Sequence, residues 1–404
     1  DGNGFVTATA YDARGRVASV TSPDGSKTEY TYDLAANNTD AAQSGRETVT
    51  YSFDGIGQRQ AVYFASGDLQ KEYFYDEQGR LAAEATGRGS SASNAVYYTY
   101  DALGRVTERA IYGADFNCAY RETFEYDDAY TDELSLVTKT VHGDTNAPSI
   151  ISKTYFNKYG ETVKTDNGGV VTAYEYDYTG NPIRVSYPTP VGGSIVTGIF
   201  TYDYRGNVLT ETNAAGHTRT AAYDGMGRKI RESDFLGNVT VYAYDNAGRL
   251  LQTTSPFDDS SDSAVKYFYD GSGNLIKQMQ SCQADDTDVP SWRTVEYTYD
   301  SMNRLTDIAQ EISTGKTEYT HYAYNAAGDR TDMMTGLSAP WQAALDPSGY
   351  SHTQYGYDQR GNNISLTDPL GQSETYAYDA LGYVTSVTQR DGKVTRYTYN
   401  ALGK

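Results

Sequence analysis

Seventeen times along the chain a pair of aromatic residues, an acidic or amide residue and a glycine return in the same order. Tyr98-Thr-Tyr100-Asp101-Ala-Leu-Gly104-Arg105 and Tyr242-Ala-Tyr244-Asp245-Asn-Ala-Gly248-Arg249 are two examples. The second aromatic recurs from Tyr11 to Tyr399, most often at an interval of 21 residues. A fixed period of this size defines the building block before any element is assigned, and it predicts that residues 1–404 form one repeat array rather than a string of globular domains. The register weakens in three stretches, near 112–165, 281–295 and 331–354. In the first of these the signature decays to Phe124-Glu-Tyr126-Asp127 and Tyr155-Phe-Asn157.

The repeat from Asp358 to Tyr378 divides into a turn, Asp358–Gly361, six residues, a second turn, Asp368–Gly371, and seven residues. Aspartate at the head of a type I turn accepts from the turn amides, and glycine at the fourth position takes the positive φ that closes a bulged hairpin. On that basis Gly104, Gly227 and Gly248 should lie at positive φ. The segments between turns are short, β-branched and aromatic, and alternate with a period of two, which predicts strands. Alternation places Glu374, Tyr376 and Tyr378 on one face and Ser373, Thr375 and Ala377 on the other. Seventeen such repeats predict an all-β chain, a ribbon of about 34 antiparallel strands roughly 160 Å long and ~20 Å wide. Strand twist forces a ribbon of that length to coil into a spiral.

Hydrophobic residues make up 38% of the 404, and 40 of the residues are tyrosine. Tyrosine must therefore carry much of the burial, with its ring packed and its hydroxyl given a partner or water. The 33 basic and 53 acidic residues leave a formal charge of -20 and no basic cluster that could track a phosphate backbone, which argues against nucleic acid. No apolar run is long enough for a membrane-spanning helix. Opening inside the turn Asp1–Gly4 and stopping inside Ala401-Leu-Gly403, the sequence reads as a piece of something longer, with any targeting segment outside it. Cys118 and Cys282, 164 positions apart, lack the spacing of a zinc site or a disulfide framework, although a single long-range pairing stays open.

The repeated signature, carried for instance by Tyr75, Asp76, Gly79 and Arg80, by Tyr100, Asp101, Gly104 and Arg105, and by Tyr244, Asp245, Gly248 and Arg249, resembles the YD repeats of the Rhs family. That family includes shell subunits of insecticidal toxin complexes and the extracellular part of teneurins. The resemblance covers essentially the whole chain. It implies a strip wound into a hollow shell, a non-enzymatic role, and an enclosed C-terminal effector domain of the same parent protein as partner alongside the neighbouring repeats. It also implies a secreted or cell-surface location, in bacteria. The alternative it leaves open is a cell-surface adhesion ribbon that binds a glycan or a protein. Rhs-like toxins carry an Asp-Pro-x-Gly core motif within an aspartyl self-cleavage site, and Asp368-Pro-Leu-Gly371 matches those four residues. Gln372 then departs from the pattern, and the segment fills a repeat turn slot, so a turn is the reading here.

No residue is singled out as catalytic, cofactor-binding or metal-ligating. His142, His217, His321 and His352 are widely scattered, and Gly55-Ile-Gly57 and Gly271-Ser-Gly273 coincide with repeat turns rather than phosphate loops. The clusters Asp258–Asp262 and Asp285–Asp288 lack the ordered spacing of a calcium loop. The arginine after the turn glycine, as at Arg16, Arg80, Arg105, Arg228 and Arg249, is expected to pair and stack within the scaffold rather than bind a ligand. Trp292 and Trp341 both fall in irregular stretches and are the candidate ligand contacts, set against the plainer expectation that each indole folds over the ribbon edge. The stretch Thr331–Thr353 is expected to leave the ribbon, with Trp341–Leu345 forming a helical turn.

Overall fold

The computed structural model describes residues 1–86, 94–113, 117–131, 134–143, 148–187, 196–258, 261–284, 287–313, 315–340, 349–379 and 382–399. Among them run thirty-three strands, from β1 (Ala8–Tyr11) to β33 (Val394–Arg396), and no helix. Each strand pairs antiparallel with the next in sequence, from the β1 ladder onto β2 (Val17–Thr21) to that of β32 (Val384–Thr388) onto β33. Turns of four residues leave no length for a crossover, so sequence order becomes spatial order.

The turn chemistry repeats along one rim. At Asp101 the Gly104 amide donates to the Asp101 carbonyl at 3.0 Å and the Asp101 amide to the Arg105 carbonyl at 2.9 Å. The Asp101 carboxylate accepts from the Leu103 and Arg105 amides, both at 2.9 Å. Gly104, Gly227 and Gly248 have φ of 82°, 80° and 87°. A register shift at the second aromatic, as between Ala243 and Tyr244, puts the bulge beside each of these turns. Along β31 (Ser373–Tyr378) Glu374, Tyr376 and Tyr378 are half-buried and Ser373, Thr375 and Ala377 exposed, as the alternation requires.

Replacing Gly104 by valine is expected to cost about 1–2 kcal/mol, because a β-branched residue is forced to positive φ. No neighbour lies within 4 Å of the added Cβ, so the whole loss is conformational. Valine at Leu103, 75% exposed in the same turn, should cost under ~0.5 kcal/mol. Equal losses in thermal unfolding at the two sites would refute the turn geometry.

The described strands of the irregular stretches stay in the ladder. Between 112 and 165, β11 (Cys118–Asp127), β12 (Leu134–Val141) and β13 (Ile150–Asn157) pair in order. Near 281–295 the hairpin grows rather than breaks, into β24 (Leu275–Ala284) and β25 (Thr287–Tyr299), of ten and thirteen residues. The expectation that Thr331–Thr353 leaves the ribbon is corrected at both ends of that stretch: β28 (Arg330–Leu337) pairs with β27 (Lys316–Tyr324) on one side and β29 (Ser351–Tyr357) on the other. Met334 and Leu337, 6% and 1% exposed, are anchored there by the burial of their side chains. The helical turn expected over Trp341–Leu345 lies outside the described residues.

This is a wall one sheet thick. Its accessible surface is 24522 Å² for 44.4 kDa, whereas a compact monomer of that mass exposes about 15,600 Å². The ribbon also returns on itself. Turns of the second rim, near the N-terminus, meet turns of the first rim (those following the second aromatic) from far along the chain.

Candidate functional site, a clasped wall with a seam

Two contacts recur between neighbouring repeats. Arg80 Nε donates to Asp76 Oδ2 at 2.7 Å within its own turn, Nη1 reaches the Asp101 carbonyl of the following turn at 3.3 Å, and the guanidinium lies 4.6 Å from the Tyr100 ring. Arg249 repeats this with Asp245, the Asp270 carbonyl and Tyr269, and Arg105 stacks on Tyr126 and reaches the Asp128 carboxylate at 2.7 Å. Where asparagine replaces arginine, as at Asn207, its amide keeps the bond to the turn aspartate, Asp203, at 2.9 Å.

The second contact is a rail of phenols. The Tyr100 hydroxyl donates to the Leu81 carbonyl at 2.7 Å, that of Tyr75 to Arg59 at 2.9 Å and that of Tyr244 to Lys229 at 2.8 Å. Each accepting carbonyl belongs to the residue that faces the preceding repeat's second aromatic across the bulge, as Leu81 faces Tyr75. The bulge thus frees a carbonyl that the next tyrosine satisfies. Burial raises the pKa of Tyr75 and Tyr100. Burial also pushes the Asp76 and Asp101 carboxyls up, but the amides and guanidiniums of Arg80 and Arg105 outweigh it and both are lowered; at Asp245 the Arg249 amide leads the lowering.

The seam joins residues that sequence reasoning did not connect. Arg360 Nε donates to Glu47 at 2.9 Å and its Nη2 to Asp68 at 2.7 Å, with the guanidinium 4.2 Å from the Phe64 ring. The Glu47 amide donates to the Gln359 carbonyl at 2.9 Å. Arg46 pairs with Asp329 at 2.5 Å, Arg304 approaches Asp24 at 3.5 Å, and Asn3 donates to Asp270 at 2.8 Å. Counted in strands, the Arg46–Asp329, Arg304–Asp24, Arg360–Asp68 and Asn3–Asp270 contacts span 23 and the Arg360–Glu47 and Glu47–Gln359 contacts span 25, so one winding takes 23 to 25 strands.

A family model for the teneurin YD-shell matches residues 69–286, more than half of the chain, and models for the RHS repeat match 11–37, 361–393 and 378–404. The chain belongs to the YD-shell family. Among solved structures, the crystal structure titled TcdB2-TccC3-TEV aligns with a TM-score of 0.64 at 14% identity, covering 97% of this chain and 25% of that one. The Photorhabdus luminescens Tc holotoxin pore carrying TccC3-D651A aligns with a TM-score of 0.53 at 15% identity, covering 95% and 24%. The likeness is one of fold, and this YD-shell chain spans about a quarter of the length of those chains. No curated protein matches it.

The other candidates that the structure describes lie on or beside strands and turns of the YD-shell wall. Trp292 lies in β25 opposite Ser281, half-buried, with the Lys266 ammonium 4.5 Å from its ring. Trp341, Asp259, Asp285 and Asp286 lie outside the described residues, whereas Asp258, Asp262 and Asp288 fall on β22 (Leu250–Asp258), β23 (Ser261–Tyr269) and β25. His321 and His352 share hydrogen bonds with Asp307 at 2.7 Å and Asp332 at 2.9 Å, and His142 with Thr123 at 3.0 Å. Among the described residues no group of three metal-ligating side chains occurs. Asp368–Gly371 is a repeat turn, its carboxylate taken by the Leu370 and Gln372 amides, both at 2.9 Å, and by Arg390 at 3.1 Å. Cys118 is an exposed free thiol. As a YD-shell segment the chain is a structural piece of wall.

Proposed function

We propose that this segment is part of the wall of a hollow container, in an exported bacterial protein, and that the container encloses an effector domain of the same parent polypeptide. On this reading residues 1–404 work as one array. The observation that carries the reading is the winding of 23 to 25 strands closed by a seam. At ~4.8 Å per strand its circumference is about 110–120 Å and its backbone diameter about 35–38 Å; side chains leave a bore of roughly 25–28 Å. A compact domain of 100 residues, with a radius of gyration near ~13 Å, is about 34 Å across and does not fit such a bore. The cargo favoured beside this segment is therefore an unfolded or partly folded chain. Its partners would be the neighbouring repeats and that cargo.

Limited proteolysis of the parent protein, with and without residues 1–404, tests the proposal. The downstream segment should survive in the intact protein and be digested at least tenfold faster in the truncated one. Equal rates would exclude enclosure by this wall and bring forward the adhesive reading, in which a glycan or protein meets the outer surface.

A further inference from the structure

Departures from the repeat gather in one hairpin, that of β4 (Asn38–Gln43) and β5 (Val49–Phe53). Its ladder has two paired positions, Asp40–Thr50 and Ala41–Val49, against three between β2 and β3 (Lys27–Tyr32). The turn after β2 closes on itself, with the Ser22 amide donating to the Ser26 carbonyl at 2.8 Å. In the connector of β4 and β5 two amides turn away from the hairpin instead: Ser44 donates to the Lys27 carbonyl and Glu47 to the Gln359 carbonyl of the next winding, both at 2.9 Å. Phe53 takes the place of a rail tyrosine and has no hydroxyl for the carbonyl of Asn38, which faces Tyr32 across the bulge. The two buried side-chain atoms left without a hydrogen-bond partner among the described residues, Asn38 Oδ1 and Arg46 Nη1, belong to β4 and to this connector. An orphaned polar atom disfavours the closed arrangement, which persists because other contacts impose it. Here those contacts lie across the seam, from Arg46 to Asp329 and from Glu47 to Arg360.

We propose that the β4–β5 junction is a latched joint, the place where the wall parts first, and that the seam contacts of Arg46 and Glu47 are its latch. Few ladder bonds hold these two strands, so they separate more readily than their neighbours, and the groups that keep them together belong to the other winding. Parting opens a slit between β4 and β5, while β3 stays paired with β4 over five positions and β5 with β6 (Arg59–Phe64) over five. The joint rests on the seam and is independent of what the wall encloses.

The test is hydrogen exchange read residue by residue on the folded chain. Amides that bridge β4 and β5 should exchange about tenfold faster than those that bridge β2 and β3, although β2 and β3 lie nearer the first residue. Arg46→Ala should speed exchange at the β4–β5 bridge about tenfold further and leave β2–β3 unchanged. Phe53→Tyr, which restores the rail hydroxyl, should slow the β4–β5 amides about fivefold, and it serves alone if Arg46→Ala misfolds. Exchange at β2–β3 as fast as at β4–β5 would mean simple fraying and overturns the joint. Exchange at β4–β5 that Arg46→Ala leaves unchanged in a folded protein overturns the latch, and exchange that Phe53→Tyr does not slow overturns the part given to the missing hydroxyl.

Discussion

Replacing Arg360 by alanine is expected to destabilise the protein by about 3 kcal/mol, the loss typical of removing one partner from a largely buried ion cluster. Arg360 is 20% exposed and holds two carboxylates, Glu47 at 11% and Asp68 at 21%. Without the guanidinium those carboxylates, both on the second rim, lose the charge that the first rim brings to them, and the Phe64 ring loses its stacking partner. Side-chain bonds to Asp68 and Glu47 raise the pKa of Arg360. Burial pushes Glu47 up, yet Arg360 and Ser66 outweigh it and its pKa is lowered. Arg360→Lys should recover part of the loss, since an ammonium is a point charge without the planar fork. Arg390→Ala, which removes a pair to Asp368 from a side chain 45% exposed, should cost under ~1 kcal/mol. Urea unfolding compares the three, and equal midpoints for Arg360→Ala and Arg390→Ala would mean that the seam adds nothing to stability.

Alkaline unfolding should set in above about pH 10, with the thermal midpoint falling on the order of 10 °C or more between pH 9 and pH 11. Burial raises the pKa of rail phenols such as Tyr100, Tyr126, Tyr202 and Tyr324. Burial and then Glu232 push Tyr242 to about 12, while Glu374 and then burial push Tyr376 to about 12. A phenol whose folded pKa exceeds its unfolded value, about 10, stabilises fully below that value and loses the contribution as pH rises through the folded one. Loss of the proton also removes the donor that the bulge carbonyls require. The acid limb has the opposite sign. Asp177 is lowered to about 2 by the Thr179 hydroxyl and Asn181, and Asp224 is lowered by Arg228. Their stabilisation is present above the ordinary carboxylate value and disappears as pH falls towards 2. Absorbance of ionised tyrosine, read together with circular dichroism, checks the alkaline limb. Titration of the rail at ordinary tyrosine values with no loss of sheet would refute it.

The ribbon was legible because its determinants are local. Asp101 and Gly104 fix a turn within four residues, and Tyr376 and Tyr378 declare their face by alternation alone. The pairing of Arg80 with Asp76 and its stacking on Tyr100 also follow from spacing, since one repeat places each within reach of the next. The seam was illegible for the opposite reason. Glu47 and Arg360 lie 313 positions apart, and which turn meets which depends on curvature summed over many strands, to which every bulge contributes a little. Met334 and Leu337 were misread because a lengthened connection following them disguised a regular strand. Trp292 drew notice because it falls where the period is interrupted, and the structure places it in the extended β24–β25 hairpin beside Lys266.

A winding counted in strands rather than residues separates two kinds of length change. Lengthening a hairpin, as β24 and β25 are lengthened, adds height to the wall and leaves its girth alone, because the number of strands around the axis is unchanged. Inserting or removing one whole repeat shifts everything downstream by two strands, or about 10 Å around the circumference. Arg46 and Arg304 would then stand opposite the wrong turns, and every charge pair along the join would slip out of phase together. Tolerance to insertion in this wall is therefore anisotropic: generous across the strip, and quantised along it by the phase of the join.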